Sequence, residues 1–446
     1  MLSAKEIMAM MEKGRPSKRA FTSKAVEAVI DEIKAKAKDK DLAILFERCF
    51  PNTLDTTVRY REVKGKHDTY VITGDINAMW LRDSTAQVFP YIGLMGKDES
   101  LKKLIAGVVN RQASYIRKDP YCNAFNDEPV GSRWEMDKTK MIPDLHERKW
   151  EIDSLCYHVR LAYTYWKETK DSSCFDKEWK ETAEKIYQTF KDQQRKDRED
   201  HYTFQRTTLQ ASDTLADNGL GYPVNPVGLI ASSFRPADDS TLLPFLIPSN
   251  FFAVVSLRQI AEITKKCYSE DPISKNCSTL ANEVEKALKK YAIVKHRKYG
   301  NIFAFEVDGF GGQVLMDDPN VPSLLSLPYL GCVDRKDPVY LNTRKFVLSK
   351  DNPWYYSGKV LSGVASIHTG RKKVWPISII IQGLTSISDA ETKKCLQMLK
   401  DSHAGTYYIH ESINKDKPED YTRPWFAWAN TIFGEFLLKL WEKKGF

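Results

Sequence analysis

The chain has 446 residues, 42% apolar and 28% charged, which supplies a large buried core and excludes a disordered chain. No apolar run approaches the roughly 18 residues that a membrane-crossing helix needs. The formal net charge of +8 sits in mixed runs such as Lys34-Ala-Lys-Ala-Lys-Asp-Lys-Asp and Arg195-Lys-Asp-Arg-Glu-Asp, which read as solvated faces, and no basic-aromatic signature of a nucleic-acid binder accompanies them.

Along the chain, the opening stretch is polar up to Phe21 and reads as an N-terminal extension, residues 1–20. A helical pattern then runs from Lys24 to Phe50, with Val26, Ile30, Ile33, Leu42, Leu45 and Phe46 at core spacing. Thr57-Val-Arg-Tyr-Arg-Glu-Val and Thr69-Tyr-Val-Ile-Thr flank Lys64-Gly65-Lys66, which predicts a β-hairpin over 56–73. Helices are expected near 84–94, 99–117, 151–168, 177–195, 249–265, 273–291, 340–349, 375–387, 390–400 and 425–443. Short extended pieces fall at His201-Tyr-Thr-Phe-Gln-Arg and Ile302-Phe-Ala-Phe-Glu. The strand–helix alternation of a doubly wound sheet is missing, as are repeats and linkers. The pattern is one mainly helical domain over 21–446, with helix pairs around one core and long loops gathered at one end.

The eight cysteines form no CxxC pair and read as reduced thiols without zinc-ligand spacing, so no metal or other cofactor is expected. Lys5, Glu6, Glu12, Lys13 and Arg15 interrupt any signal-peptide core, so no export signal is read and the compartment stays open: cytoplasmic, or periplasmic or secreted if a leader was removed. Walker A, HExxH and GxSxG motifs are absent, and Gly309-Phe-Gly-Gly lacks the context of a dinucleotide site.

Four loops concentrate polar and aromatic residues. In Gly74-Asp-Ile-Asn-Ala-Met-Trp-Leu-Arg-Asp-Ser-Thr, the residues Asp75, Arg82 and Asp83 suit sugar hydroxyls, and Met79 or Trp80 suits a ring face. Capping of the next helix is the other reading of Asp83 or Ser84. Ser233-Phe-Arg-Pro-Ala-Asp-Asp-Ser-Thr places Asp238 beside Asp239 in apolar surroundings. That raises one carboxyl pKa toward what a general acid needs, unless the pair is a helix cap or a turn. Glu411, in His403-Ala-Gly-Thr-Tyr-Tyr-Ile-His-Glu-Ser-Ile-Asn, is either a general base or an ion-pair partner of Arg423. Gln313-Val-Leu-Met-Asp-Asp-Pro-Asn-Val-Pro-Ser offers Asp317, Asp318 and Asn320 as hydroxyl readers or as plain turn residues. His368 is a lone histidine, more often structural than functional.

These stretches together resemble glycoside hydrolase family 125. The likeness rests on Gly74-Asp-Ile-Asn-Ala-Met-Trp-Leu-Arg-Asp-Ser-Thr-Ala-Gln-Val, Glu151-Ile-Asp-Ser-Leu-Cys-Tyr and Phe234-Arg-Pro-Ala-Asp-Asp. It continues through Met316-Asp-Asp-Pro-Asn-Val-Pro-Ser-Leu-Leu, Val374-Trp-Pro-Ile-Ser, and His410-Glu-Ser followed by Trp425-Phe-Ala-Trp-Ala-Asn. The resemblance implies an (α/α)6 toroid, with the β-hairpin at its loop-rich end, and a metal-independent, inverting exo-α-1,6-mannosidase. It implies that the Asp238–Asp239 pair supplies the general acid and Glu411 the general base; likeness to glucoamylase-type enzymes points to Asp238, the first of the pair, as the acid, with Asp239 then binding substrate. Asp75, Met79, Trp80, Arg82, Asp83, Arg235, Asp317, Asn320, His368 and Trp375 would hold a mannose-containing oligosaccharide. Ala237, where the family pattern has Ser, and Asp318-Pro319 depart from that pattern. No nucleic-acid or membrane partner is implied, and the chain is expected to be a monomer.

Two other readings differ at defined points. A glucoamylase-like hydrolase or a phosphorylase would share the toroid, the latter needing an anion site in place of the base. A non-catalytic glycan-binding protein would keep the aromatic residues and lose a carboxylate, whereas both carboxylate positions are filled here.

Overall fold

The computed structural model describes residues 2–197, 202–268 and 271–446. His201 of the expected extended piece and residues 198–200 of the charged run lie outside these.

The opening stretch contains a helix, α1 (Ala4–Lys13), started by a reciprocal Ser3–Glu6 capping box. It buries Met10 and Met11 in the core. The helical stretch expected over 24–50 is two helices, α2 (Lys24–Lys36) and α3 (Lys40–Cys49). The chain turns extended at Ala37, and Asp39 restarts the helix by accepting from the amides of Asp41 and Leu42. The short α4 (Asn52–Thr56) leads into the expected hairpin, β1 (Val58–Val63) and β2 (Lys66–Val71), with Val58 opposite Val71. Its turn residues Lys64 and Gly65 both have positive φ, 51° and 77°, the conformation a two-residue hairpin of this twist requires.

The remaining helices follow the sequence expectation closely. They are α5 (Leu81–Val88, continued by a 3-10 segment Phe89–Lys97), α6 (Glu99–Lys118), α7 (Ile152–Thr169), α8 (Lys177–Asp192), α9 (Ile247–Cys267), α10 (Pro272–Tyr291), α11 (Pro338–Val347), α12 (Pro376–Thr385), α13 (Asp389–Asp401) and α14 (Ala427–Lys444). They form two concentric rings. In the inner ring α5 packs on α7, α7 on α9, α12 on α14, and α14 back on α5. Outside it α6 packs on α8 and α8 on α10, while α10, α13 and α3 back α9, α12 and α14. The remaining inner side is filled by residues 324–331, a run of turns. The Tyr157 hydroxyl of α7 donates to the Val321 carbonyl just before this run, and Tyr329 within it donates to Glu435 of α14. This is an (α/α)6 toroid.

Burial follows ring position. α14 buries every residue from Ala427 to Leu437, as a helix surrounded by protein must. The outer α8 buries one stripe, including Trp179, Ala183, Ile186 and Phe190, and leaves its charged face in water. Small antiparallel sheets stitch the loops that precede the inner helices. One joins Met79–Trp80, Ala124–Phe125 and Leu145–Glu147; another joins Lys373–Val374, Ser412–Asn414 and Lys417–Thr422.

Candidate active site

The two rings differ in how their helices begin. Each of these outer helices starts with a side-chain cap: Asp39, Asp98, Asp176, Asp271 and Ser388 accept amide hydrogen bonds at the starts of α3, α6, α8, α10 and α13, as Asp337 does at the start of α11. The inner helices α5, α7, α9, α12 and α14 have no side-chain cap. Their cap positions hold Trp80, Glu151, Leu246, Trp375 and Phe426. Trp80, Trp375 and Phe426 line a cleft of about 280 Å³ at this end of the toroid. The positions that elsewhere take a capping Asp or Ser thus supply apolar ring surface suited to a sugar face. Neither Asp83 nor the Asp238–Asp239 pair caps a helix, so the capping alternatives fall away.

Asp238 and Glu411 both line this cleft, one from the loop before α9 and the other from the loop before α14. Asp238 sits in a tight turn in which the Arg235 amide donates to the Asp239 carbonyl and the Asp238 amide to the Arg235 carbonyl. Its φ of 66° is left-handed, a strained conformation that Asp tolerates better than most residues. Its Oδ1 lies 3.4 Å from Arg82 Nη2 and 3.5 Å from Asn123 Nδ2, and its backbone oxygen accepts from Lys149 Nζ at 2.7 Å. Glu411 accepts from Thr422 Oγ1 at 3.0 Å and from Arg423 Nη1 at 3.3 Å. Glu411 is thus an ion-pair partner of Arg423 that also faces the cleft.

The other sequence-derived candidates separate into two groups. Trp80, Arg82, Asp83, Asn320, His368 and Trp375 face the cleft. Asp83 is buried, and desolvation lifts its carboxyl to about 6 despite the opposing pull of Arg82. Asn320 Nδ2 donates to the Pro236 carbonyl, and Trp375 Nε1 to Thr369 Oγ1. The remaining candidates do not line it. Asp75 accepts from Arg423 Nε at 2.9 Å. Asp239 is buried, its carboxyl raised above the ordinary range by desolvation, with Ser366 Oγ 3.4 Å away. Met79 is enclosed in the core. Arg235 pairs with buried Glu306 at 2.6 Å, tying down the loop, since Glu306 also accepts from the Leu242 and Leu243 amides. Asp317 accepts from the amides of Leu324 and Leu325, which shapes the turn-built side of the inner ring.

The structure also brings in charged residues that sequence reasoning missed. Lys149 is buried, donating to Asp213 at 2.6 Å as well as to the Asp238 carbonyl, and Glu147 lies 3.6 Å away. Arg206 reaches Asp137, Glu147 and Asp213, and its guanidinium stacks 3.6 Å from the ring centre of Trp134. Burial opposes ionisation of Glu147, but Lys149 and Arg206 outweigh it and hold the carboxyl at about 2. Glu151 and Asp153 clamp Arg82 from the first turn of α7. Their sequence signal was Glu151-Ile-Asp-Ser, a motif that nothing local marks as buried.

The chemistry such a cleft offers is acid–base attack on a sugar acetal, and the class it defines is the glycoside hydrolases. Residues 39–438 match the family model for metal-independent α-mannosidases, glycoside hydrolase family 125. The chain belongs to this family. A solved structure from Streptococcus pneumoniae, a metal-independent α-mannosidase in a non-productive complex with α-1,6-mannobiose, shares 42% identity at a TM-score of 0.91, covering 95% of this chain and 99% of that one. The meiotically up-regulated gene 157 protein of Schizosaccharomyces pombe is 42% identical over 96% of this chain and 87% of its own length. The glucoamylase of Saccharomycopsis fibuligera has the same fold, with a TM-score of 0.56 at 12% identity over 96% of this chain and 98% of that one.

Proposed function

We propose that this α-mannosidase is exo-acting and inverting, removing non-reducing terminal α-1,6-linked mannose from glycans such as N-glycans or mannan. Asp238 is the general acid and Glu411 the general base. The observation that carries this reading is that Asp238 and Glu411 open on one cleft from different loops, each held by its own arginine, Arg82 and Arg423. Separately anchored carboxylates suit a mechanism in which one protonates the leaving oxygen and the other directs water to the opposite face of the sugar. The buried side chains of Arg82 and Asp83 form the cleft wall at the inner ring, which favours a chain end over a chain middle. The α-1,6 linkage is supported by the mannobiose bound to the pneumococcal relative.

The test is digestion of α-1,2-, α-1,3- and α-1,6-linked mannobioses with the product anomers followed by NMR. The expected outcome is turnover of the α-1,6 isomer with β-mannose appearing first. Preference for another linkage, or α-mannose as first product, would overturn the corresponding half of the proposal.

A further inference from the structure

The Arg82 guanidinium divides its edges among carboxylates. Nη1 donates to Glu151 Oε2 at 2.6 Å and to Asp153 Oδ2 at 3.0 Å, while Nη2 reaches Asp238 Oδ1 at 3.4 Å. Glu151 and Asp153 are fully buried. Among the described residues, Glu151 Oε1, Asp153 Oδ1 and Arg82 Nε find no hydrogen-bond partner. Placing two carboxylates and an arginine in a water-poor site with unmatched polar atoms is costly, and packing alone does not call for it.

We propose that Glu151 and Asp153 are positioning residues that act through Arg82, fixing its guanidinium against Asp238 and supplying the counter-charge that lets this acid keep its proton. The inference rests on Asp238 being the general acid. A general acid must be protonated when substrate is bound, and a guanidinium beside it favours the ionised form. Negative charge on the far edge of the same guanidinium weakens that pull. Burial lifts both Glu151 and Asp153 above the ordinary carboxylate range against the opposing effect of Arg82. Asp83 and Lys149 also bear on Asp238, the first repelling its negative charge and the second attracting it. Asp83 Oδ2 lies 3.8 Å from Arg82 Nε, outside hydrogen-bond reach, and is itself drawn on by Arg423. Lys149 meets Asp238 at its backbone oxygen. Cys156 and Tyr157, which face Asp153, are pushed upward by burial and stay neutral. The Ser154 hydroxyl donates to Glu151 Oε2 at 2.8 Å and steadies its ionised form.

The test is the pH profile of kcat/KM on two substrates, α-1,6-mannobiose and 2,4-dinitrophenyl α-mannoside, whose leaving group needs no proton. In the wild type the alkaline limb should appear with the disaccharide and be absent with the aryl mannoside. If it is the same with both, Asp238 is not acting as the acid and the inference falls together with that reading. Where the limb differs between the substrates, Asp153→Asn and Glu151→Gln should each move it to lower pH by about one unit, and Glu151→Asp should restore most of its position. Ser154→Ala deletes only a hydroxyl, so the fold should persist, and it should move the limb the same way by less. Folded variants that lose rate while the limb stays at the wild-type pH would overturn the inference and leave Glu151 and Asp153 a structural role only.

Discussion

Arg423 Nη1 stands 3.3 Å from Glu411 Oε1, so the carboxylate that faces the cleft is also half of an ion pair. The same guanidinium donates from Nε to Asp75 at 2.9 Å and from Nη2 to Thr73 Oγ1 at 3.2 Å. Thr422 supplies the second donor to Glu411. Each carboxylate oxygen accepts one of these bonds and has a further lone pair free for a water. The pairing fixes Glu411 without using up its acceptor capacity.

Removing the anchor should therefore misplace Glu411 and leave substrate binding largely intact. Arg423→Ala should lower kcat on α-1,6-mannobiose by about 100-fold with a smaller change in KM. Asp75→Asn should have a milder effect, because Arg423 keeps its contact with Glu411. Steady-state kinetics of the two variants checks this, and an unchanged kcat in Arg423→Ala would remove the arginine from any role in orienting Glu411.

Arg82→Ala is expected from the sequence to impair binding and catalysis while the fold survives. The structure adds a stability cost. The substitution strands Glu151 and Asp153, both fully buried, without their cation. Breaking a buried pair in this way costs about 3–5 kcal/mol. Urea denaturation should register that loss at pH 8 and a smaller one at pH 5, where the stranded carboxyls take up protons more readily. Equal stability of variant and wild type at both pH values would contradict the Arg82–Glu151–Asp153 network.

The long helices were legible because burial imposed a period on them: 249–265 and 273–291 differ from α9 and α10 by a few residues at their ends. The break at Ala37 was hidden, since the apolar spacing stays compatible with a helix on both sides of it. α1 was missed because its polar composition outweighed the Ser3–Glu6 cap signal, and only docking shows Met10 and Met11 to be core. In the site, loops rich in Asp, Arg and Trp pointed to Asp238, Arg82 and Glu411. Nothing in the sequence marks Lys149, Arg206, Asp137 and Asp213, because the partners that allow their burial or pairing lie in other loops. Met79 shows the converse: an apolar residue in a functional motif, turned into the core by the short strand it shares with Trp80.

A pH effect on stability follows from two buried carboxyls, Asp318 and Asp239. The Ser366 hydroxyl lies 3.3 Å from Asp318 Oδ2 and 3.4 Å from Asp239 Oδ2, one proton between two buried carboxyls. Desolvation, opposed by Arg235, lifts Asp318 from 3.8 to about 7. A group that binds its proton more tightly when folded contributes stability that is fully present below its unfolded pKa and is lost as pH rises through its folded one. Wild-type stability should thus fall between pH 5 and pH 8, and Asp318→Asn should fall less over the same interval. Melting temperatures at both pH values check the sign, and parallel curves for the two proteins would exclude Asp318 as a source of the dependence.

The sharpest prediction separates the catalytic carboxylates. Asp238→Asn and Glu411→Gln should each lower turnover of α-1,6-mannobiose by roughly 10²–10⁴-fold, the range expected for loss of a general acid or base. Their response to the leaving group should differ. 2,4-Dinitrophenol departs without protonation, so its α-mannoside should recover much of the rate lost in Asp238→Asn. It should recover little in Glu411→Gln, where activation of water is still missing. Asp239 supplies the control. It is buried beside Ser366 and does not line the cleft, whereas Asp238 does. Asp239→Asn should therefore lose activity without leaving-group rescue, because it disturbs the support of the turn that holds Asp238 and leaves the proton donor in place. Rescue of Asp239→Asn together with none for Asp238→Asn would exchange the roles of the two neighbours. Equal rescue of Asp238→Asn and Glu411→Gln would mean that neither carboxylate is specialised as acid or base.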